Sequence, residues 1–282
     1  MSGRSVPATW LVLGAVASMQ FGAALGATLF DEIGPIGASF VRVALAAAVL
    51  GLVSRPTFRG RTRRELVTAV VFGLVLTGMN VCFYLALDRI PQGIAVTLEM
   101  TGPLVLALAL SRRALDACWV AVAAAGIALL SGGDWGSLDS AGVAFALAAA
   151  TLWALYILLA ARVGRSFPGL GGLALGMAVG AVAVAPFGIV EAGSALLDGR
   201  VLAIGLAVAL LSSVIPYSLE LQALRSLAAR VFGVLMSLEP AAAALAGFLV
   251  LDQRLSALQA LAIVLVIVAS AGIAITARRR LS

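Results

Sequence analysis

Ten runs of about twenty apolar residues, joined by short links, fill nearly all of this 282-residue chain. They cover 8–27, 35–53, 66–87, 92–111, 115–131, 140–161, 169–190, 201–221, 231–251 and 255–277. A helix of about 20 apolar residues spans the roughly 30 Å hydrocarbon core of a bilayer. Within that core only elements that satisfy their own backbone hydrogen bonds are viable. The pattern therefore predicts an all-α membrane protein of ten transmembrane helices. Composition agrees, because a chain that is 62% hydrophobic and 11% charged cannot cover a soluble surface of this size. The first run ends in small residues, as a signal peptide does. Only Arg4 precedes it and nine similar runs follow, so it reads as a retained helix.

The net charge of +6 follows topology and does not point to nucleic acid. With the N-terminus placed in the cytoplasm, fifteen arginines fall inside: Arg4, Arg55, Arg59, Arg61, Arg63, Arg64, Arg112, Arg113, Arg162, Arg165, Arg225, Arg230, Arg278, Arg279 and Arg280. Three fall outside, Arg89, Arg200 and Arg254, and Arg42 lies within a span. This is a strong positive-inside bias, and it predicts both termini in the cytoplasm of an inner (plasma) membrane protein. Acids divide the other way, with only Glu65 and Asp116 inside.

Two spans carry a carboxylate near their middle, at the end of one shared phrase: Gly93-Ile-Ala-Val-Thr-Leu-Glu99 and Gly233-Val-Leu-Met-Ser-Leu-Glu239. A charge at that depth costs roughly 2.5 kcal/mol or more. Ala124-Ala-Gly-Ile-Ala-Leu129 and Ser270-Ala-Gly-Ile-Ala-Ile275 repeat in the same order. The chain therefore reads as two five-helix halves, 1–135 and 136–282, divided at the Gly/Ser/Asp-rich link 131–140. Five is odd, so the second half enters the membrane from the opposite side as an inverted repeat, an architecture suited to alternating access around a central site.

Further stretches carry a family resemblance: Gly78-Met-Asn-Val-Cys-Phe-Tyr-Leu-Ala-Leu87, Pro91 through Pro103, Trp153-Ala-Leu-Tyr-Ile157, Ser212-Ser-Val-Ile-Pro-Tyr-Ser-Leu-Glu220 and Arg230-Val-Phe-Gly-Val-Leu-Met-Ser-Leu-Glu-Pro-Ala241. In these the chain resembles the EamA-type branch of the drug/metabolite transporter superfamily and, within it, the threonine/homoserine exporter group. The resemblance implies a secondary transporter of small amino acids or related metabolites, with protons as the coupling ion.

The polar residues within the spans are the candidate substrate and coupling groups. Pro103 and Pro240 lack the N–H that would bond the carbonyls of Glu99 and Met236, so backbone acceptors are loosened beside both acids. An apolar setting disfavours a charged carboxylate, which makes either acid a candidate proton carrier; the alternative is a hydrogen-bonded acid that ties helices together. Asn80 and Tyr84 lie one turn apart on one helix face. Tyr217 follows Pro216 at a position similar to that of Asn80. Trp153 and Tyr156 could form an aromatic wall, with Gln20 at the matching level of the first span. Arg42 is expected to pair with Asp31 or Glu32 at the outer surface, or with a central glutamate. Glu220 reads as a solvated interfacial acid. The carboxylate of an amino-acid cargo is expected to be met chiefly by neutral donors. Gly172, Gly176 and Gly180 form a small-residue stripe that suits packing within the bundle or against a second copy.

Enzyme readings find little support. Without His or Lys there is no imidazole base and no Ser–Lys dyad, and Cys82 and Cys118 form no CxxC pair. No metal or cofactor site is expected. The rivals are the same machine with other cargo, such as lipophilic drugs, and, less well supported, a membrane-embedded lipid enzyme. The central cavity is expected between spans 3, 4, 8 and 9.

Overall fold

The structure, a computed structural model, describes residues 8–55, 60–109, 114–130, 138–167, 169–224, 227 and 229–276. The 131–137 part of the expected boundary and Arg4, Arg59, Arg112, Arg113, Arg225 and Arg278–Arg280 lie outside them. Among the described residues there is no strand. The helices are α1 (Ala8–Ala27), α2 (Phe30–Ser54), α3 (Arg63–Leu87), α4 (Gln92–Glu99), α5 (Thr101–Ala109), α6 (Ala114–Leu130), α7 (Ser140–Ser166), α8 (Gly171–Ala192), α9 (Gly199–Ala209), α10 (Ile215–Leu224), α11 (Ala229–Met236), α12 (Glu239–Leu251) and α13 (Ala257–Thr276).

Among the described residues nine segments are long and apolar enough to cross a membrane, and α6 adds a shorter apolar stretch, Cys118–Leu129. Three of the expected single spans are interrupted. The fourth breaks between α4 and α5 and the ninth between α11 and α12, in each case at the acid. The eighth runs α9, a π-helical turn over Leu210–Val214, then α10.

Helix ends are fixed by side chains. Thr62 and Glu65 form a reciprocal capping box at the start of α3. Asp139 and Asp198 cap α7 and α9. Within α2, Gly34 has φ +67° and ψ 166° ahead of Pro35, which kinks the helix. Glu191 of α8 accepts the Gly37 N–H at 2.6 Å, so a carboxylate from another helix closes the exposed amide end that the kink creates.

Chain alternation gives the bundle two ends. One holds the α1–α2, α3–α4, α8–α9 and α12–α13 connections, with Asp31, Glu32, Asp88, Glu191, Asp198 and Asp252 at or beside them. The other holds the α2–α3 and α7–α8 connections with Arg55, Arg61, Arg63, Arg64, Arg162 and Arg165. They are called here the acidic and arginine ends.

α2 packs on α8, α3 on α7 and α8, α1 on α10 and α12, α4 on α12, and α6 on α13. Glycines permit the closest approaches: a Cβ at Gly73 would strike the Gly176 backbone and one at Gly180 would strike Thr77. The Gly172/Gly176/Gly180 stripe is thus engaged with α3, Val163 and Phe167, as packing within the bundle requires. The exterior carries large apolar side chains such as Val182 (76% exposed), Phe187 (65%) and Leu249 (59%). An apolar exterior around a polar centre is the arrangement that lipid covers.

Candidate functional site

The central site begins with two helix breaks. α4 stops at Glu99 and α5 starts at Thr101, two residues before Pro103. α11 stops at Met236 and α12 starts at Glu239, one residue before Pro240. Both acids are buried, at 7% and 3% exposure. The hydroxyls of Thr97 and Ser237 bond back to the carbonyls of Gly93 and Val234, which satisfies local backbone in each case.

Between the broken helices lies a cavity of about 120 Å³. α1 contributes Met19, Gln20 and Ala23; α2 contributes Arg42; α3 contributes Met79, Asn80 and Phe83; α4 contributes Glu99. From the second half come Trp153 and Tyr156 of α7, Tyr217 and Glu220 of α10, Met236 of α11 and Glu239 of α12. The cavity thus gathers Gln20, Arg42, Asn80, Glu99, Trp153, Tyr156, Tyr217 and Glu239 from the expected set and leaves Tyr84 out. It draws on α1, α2 and α7 as well as the four spans expected, whereas α6 and α13 pack against each other and, among the described residues, contribute no lining side chain.

Tyr84 is fully buried behind the wall, with the Arg42 guanidinium 5.5 Å from its ring centroid and Phe30 at 5.4 Å. Its expected role as a direct ligand donor therefore gives way to support of Arg42. Asn80 donates to the Leu76 carbonyl of its own helix at 2.8 Å and lines the cavity.

Arg42 departs from its expected pairing. Glu32 pairs with Arg200, and Arg42 is 5% exposed with no acid partner among the described residues. Its Nη2 donates to the Ser212 carbonyl at 3.1 Å and its Nε points to Ser213 Oγ at 3.5 Å. The reason lies in Pro216. With no N–H, it cannot bond the carbonyl four residues back, Ser212, or the one five back, Leu211, within the π turn. The freed Ser212 carbonyl takes Arg42, and the freed Leu211 carbonyl takes the Ser18 hydroxyl at 2.7 Å.

Glu220 is a further polar residue that sequence reasoning placed wrongly. It is half-buried and lines the cavity instead of sitting in solvated interface. The available signal was its spacing of three from Tyr217, which puts both on one helix face. Met19, Met79, Met236 and Phe83 also went unforeseen, because apolar lining residues look like any other in so apolar a chain.

The two ends of the cavity differ. Toward the acidic end, Gln92 donates through Nε2 to the Gln20 carbonyl at 2.8 Å and to Gln20 Oε1 at 3.2 Å. Gln253, just beyond α12, accepts the Gln92 backbone N–H at 2.8 Å. α4 and α12 also meet closely here, since a Cβ on Gly93 would lie 2.9 Å from the Ala244 Cβ. Toward the arginine end a second cavity of about 320 Å³ shares Tyr156, Tyr217 and Glu220 and runs along α7 and α8 to Phe167 and Leu170. Arg61 lies 4.8 Å over the Phe167 ring and donates to the Ser166 carbonyl, which fixes this mouth to the start of α3.

Residues 140–275 match the EamA-like transporter family. Over 99% of its length the chain is 42% identical to the threonine/homoserine exporter RhtA of Salmonella typhimurium (strain SL1344), of which it covers 96%. It is 41% identical over 98% of its length to the RhtA exporter of Escherichia coli (strain K12), covering 95% of it. A solved crystal structure aligns over 98% of this chain and 99% of its own at 20% identity with a TM-score of 0.65, a likeness of fold alone. A broken-helix cavity inside an apolar bundle and near full-length similarity to exporters agree: this is a multi-pass membrane transporter, not an enzyme, and it belongs to the EamA-like transporter family alongside the threonine/homoserine exporters.

Proposed function

We propose that this chain is an inner-membrane exporter of small amino acids of the threonine and homoserine kind, driven by proton antiport. The observation that carries the reading is the central cavity, which Glu99, Glu220, Glu239 and Arg42 line together with neutral donors in an otherwise apolar bundle. Such a site suits a small zwitterion, because each of its charges needs a partner in a medium that solvates neither. Size supports the same cargo. At about 120 Å³ the cavity lies well below the roughly 300–1,000 Å³ of sites for drug-sized ligands. The near full-length similarity to threonine/homoserine exporters supports it further.

The mechanism is alternating access by the inverted halves 1–135 and 136–282. In its support, α2 packs on α8, α4 on α12 and α6 on α13, so the second, fourth and fifth spans meet their counterparts from the other half. The arginine end is the cytoplasmic end and both termini lie there, as the fifteen-to-three arginine distribution favours. This conformation then faces the cytoplasm, with the glutamines closed and the α7–α8 route adjoining the cavity. Glu99 or Glu239, deprotonated, holds the ammonium; after the halves rock, an external proton replaces the cargo and returns with the acid.

The test is export from proteoliposomes loaded with a panel of radiolabelled amino acids, with and without a pH gradient. Gradient-dependent movement of threonine and homoserine is expected. Movement of lipophilic cations alone would hand the site to drug efflux.

A further inference from the structure

We infer that Arg42 is the carboxylate anchor of the central cavity, so that a bound amino acid lies with its carboxylate on α2 and its ammonium toward Glu239 and Glu220. The inference rests on the exporter reading and replaces the expectation that neutral donors receive the carboxylate.

Arg42 is held in an unusual state. A guanidinium always carries its charge and offers five N–H donors in a planar fork. Burial of a cation without a counter-ion is costly. At 5% exposure, Arg42 has the Ser212 carbonyl, the Ser213 hydroxyl and the face of the Tyr84 ring, and no carboxylate within ion-pair distance among the described residues. These contacts orient the side chain and do not neutralise it. It also lines the cavity, which places an oriented cation against space of amino-acid size. A carboxylate arriving there meets a fork suited to two parallel hydrogen bonds.

The acids give the site its direction. Arg42 lines the cavity from α2 and is bonded to the π turn ahead of α10, whereas Glu220 and Glu239 line it from α10 and α12. The positive end of the cavity is thus set by α2 and the negative end by α10 and α12. A zwitterion matches that polarity in one orientation only. In the reverse orientation its carboxylate would face two acids and its ammonium a guanidinium.

The experiment compares L-threonine with threoninamide, which keeps the ammonium and hydroxyl and replaces the carboxylate by a neutral amide. Efflux of each radiolabelled compound from proteoliposomes is measured for wild type, Arg42→Gln and Arg42→Lys. Loss of a hydrogen-bonded charge partner weakens binding by about tenfold to a hundredfold. Wild type is expected to prefer threonine by at least that lower factor. Arg42→Gln should bring the two compounds within about twofold, and Arg42→Lys, with a charge but no fork, should fall between. Thermal unfolding of the detergent-purified wild type with either compound gives a second readout, in which threonine alone should stabilise. If Arg42→Gln does not fold, the wild-type preference still decides. Equal handling of threonine and threoninamide by wild type overturns the inference, as does an unchanged preference in a folded Arg42→Gln; in both cases the exporter reading stands. Wild type that moves neither threonine nor homoserine overturns the exporter reading and this inference with it.

Discussion

Gln253 accepts the backbone N–H of Gln92 at 2.8 Å, and through that bond the end of α12 is tied to the start of α4 and, by the Gln92 amide, to α1. The tie joins the two halves on the side of the cavity away from the arginine end. Any conformation that opens that side must break it. We predict that Gln253→Ala favours the outward-open form. One hydrogen bond of about 0.5–1.5 kcal/mol corresponds to a population shift of roughly twofold to tenfold. In a Cys82→Ser/Cys118→Ser background, Ala23→Cys should react that much faster with an impermeant thiol reagent added outside. An unchanged rate would remove the glutamines from the gate.

Glu99 and Glu239 are predicted to carry the coupling. The double Glu99→Gln/Glu239→Gln variant keeps shape and hydrogen bonding, so it should insert and fold. Export driven by a pH gradient should be lost. Full gradient-driven export across a pH series would return both residues to a structural role.

Packing of α3 on α8 should be the part of the bundle least tolerant of added volume. A Cβ at Gly73 meets the Gly176 backbone, which no side-chain rotation can relieve. Gly73→Val is expected to destabilise by about 1–3 kcal/mol. Gly51→Ala, where nothing lies within 4 Å, should leave the unfolding midpoint unchanged or raised. Thermal unfolding in detergent compares them, and equal midpoints would show that the approach relaxes freely.

The orientation follows from the arginines. Reporter fusions after Arg64 and at the C-terminus should both give a cytoplasmic signal, and a fusion between Leu138 and Ser140 an external one. A cytoplasmic signal at that last site would leave the first half with an even number of crossings and end the inverted-repeat proposal.

The bundle was legible because its signal is compositional: apolar length alone marks each crossing, and acids beside Pro103 and Pro240 mark the two breaks. Arg42 was misread because sequence directs a buried cation to acids, Asp31, Glu32 or a central glutamate, whereas its hydrogen-bond partners stand about 170 residues away in the π turn. The clue was Pro216, whose missing N–H leaves carbonyls waiting for a donor from another helix. Tyr84 and Asn80 share a helix face by spacing, yet one supports Arg42 from behind while the other reaches the cavity. Four residues of separation fix an angle around the axis and not the depth of what packs against it.

The turn at Leu210–Val214 also works as a phase shift. A π turn accommodates one residue more than an α-helix would over the same rise, and each α-helical residue advances the chain by about 100°. Everything C-terminal to it, Tyr217 and Glu220 included, owes its azimuth to that single extra residue. Were the same residues to run from α9 into α10 as unbroken α-helix, with no π turn to absorb the extra one, both side chains would swing about a quarter of a revolution off the cavity. The length of this span, counted to the residue, therefore carries information about the cargo site that residue identity alone does not.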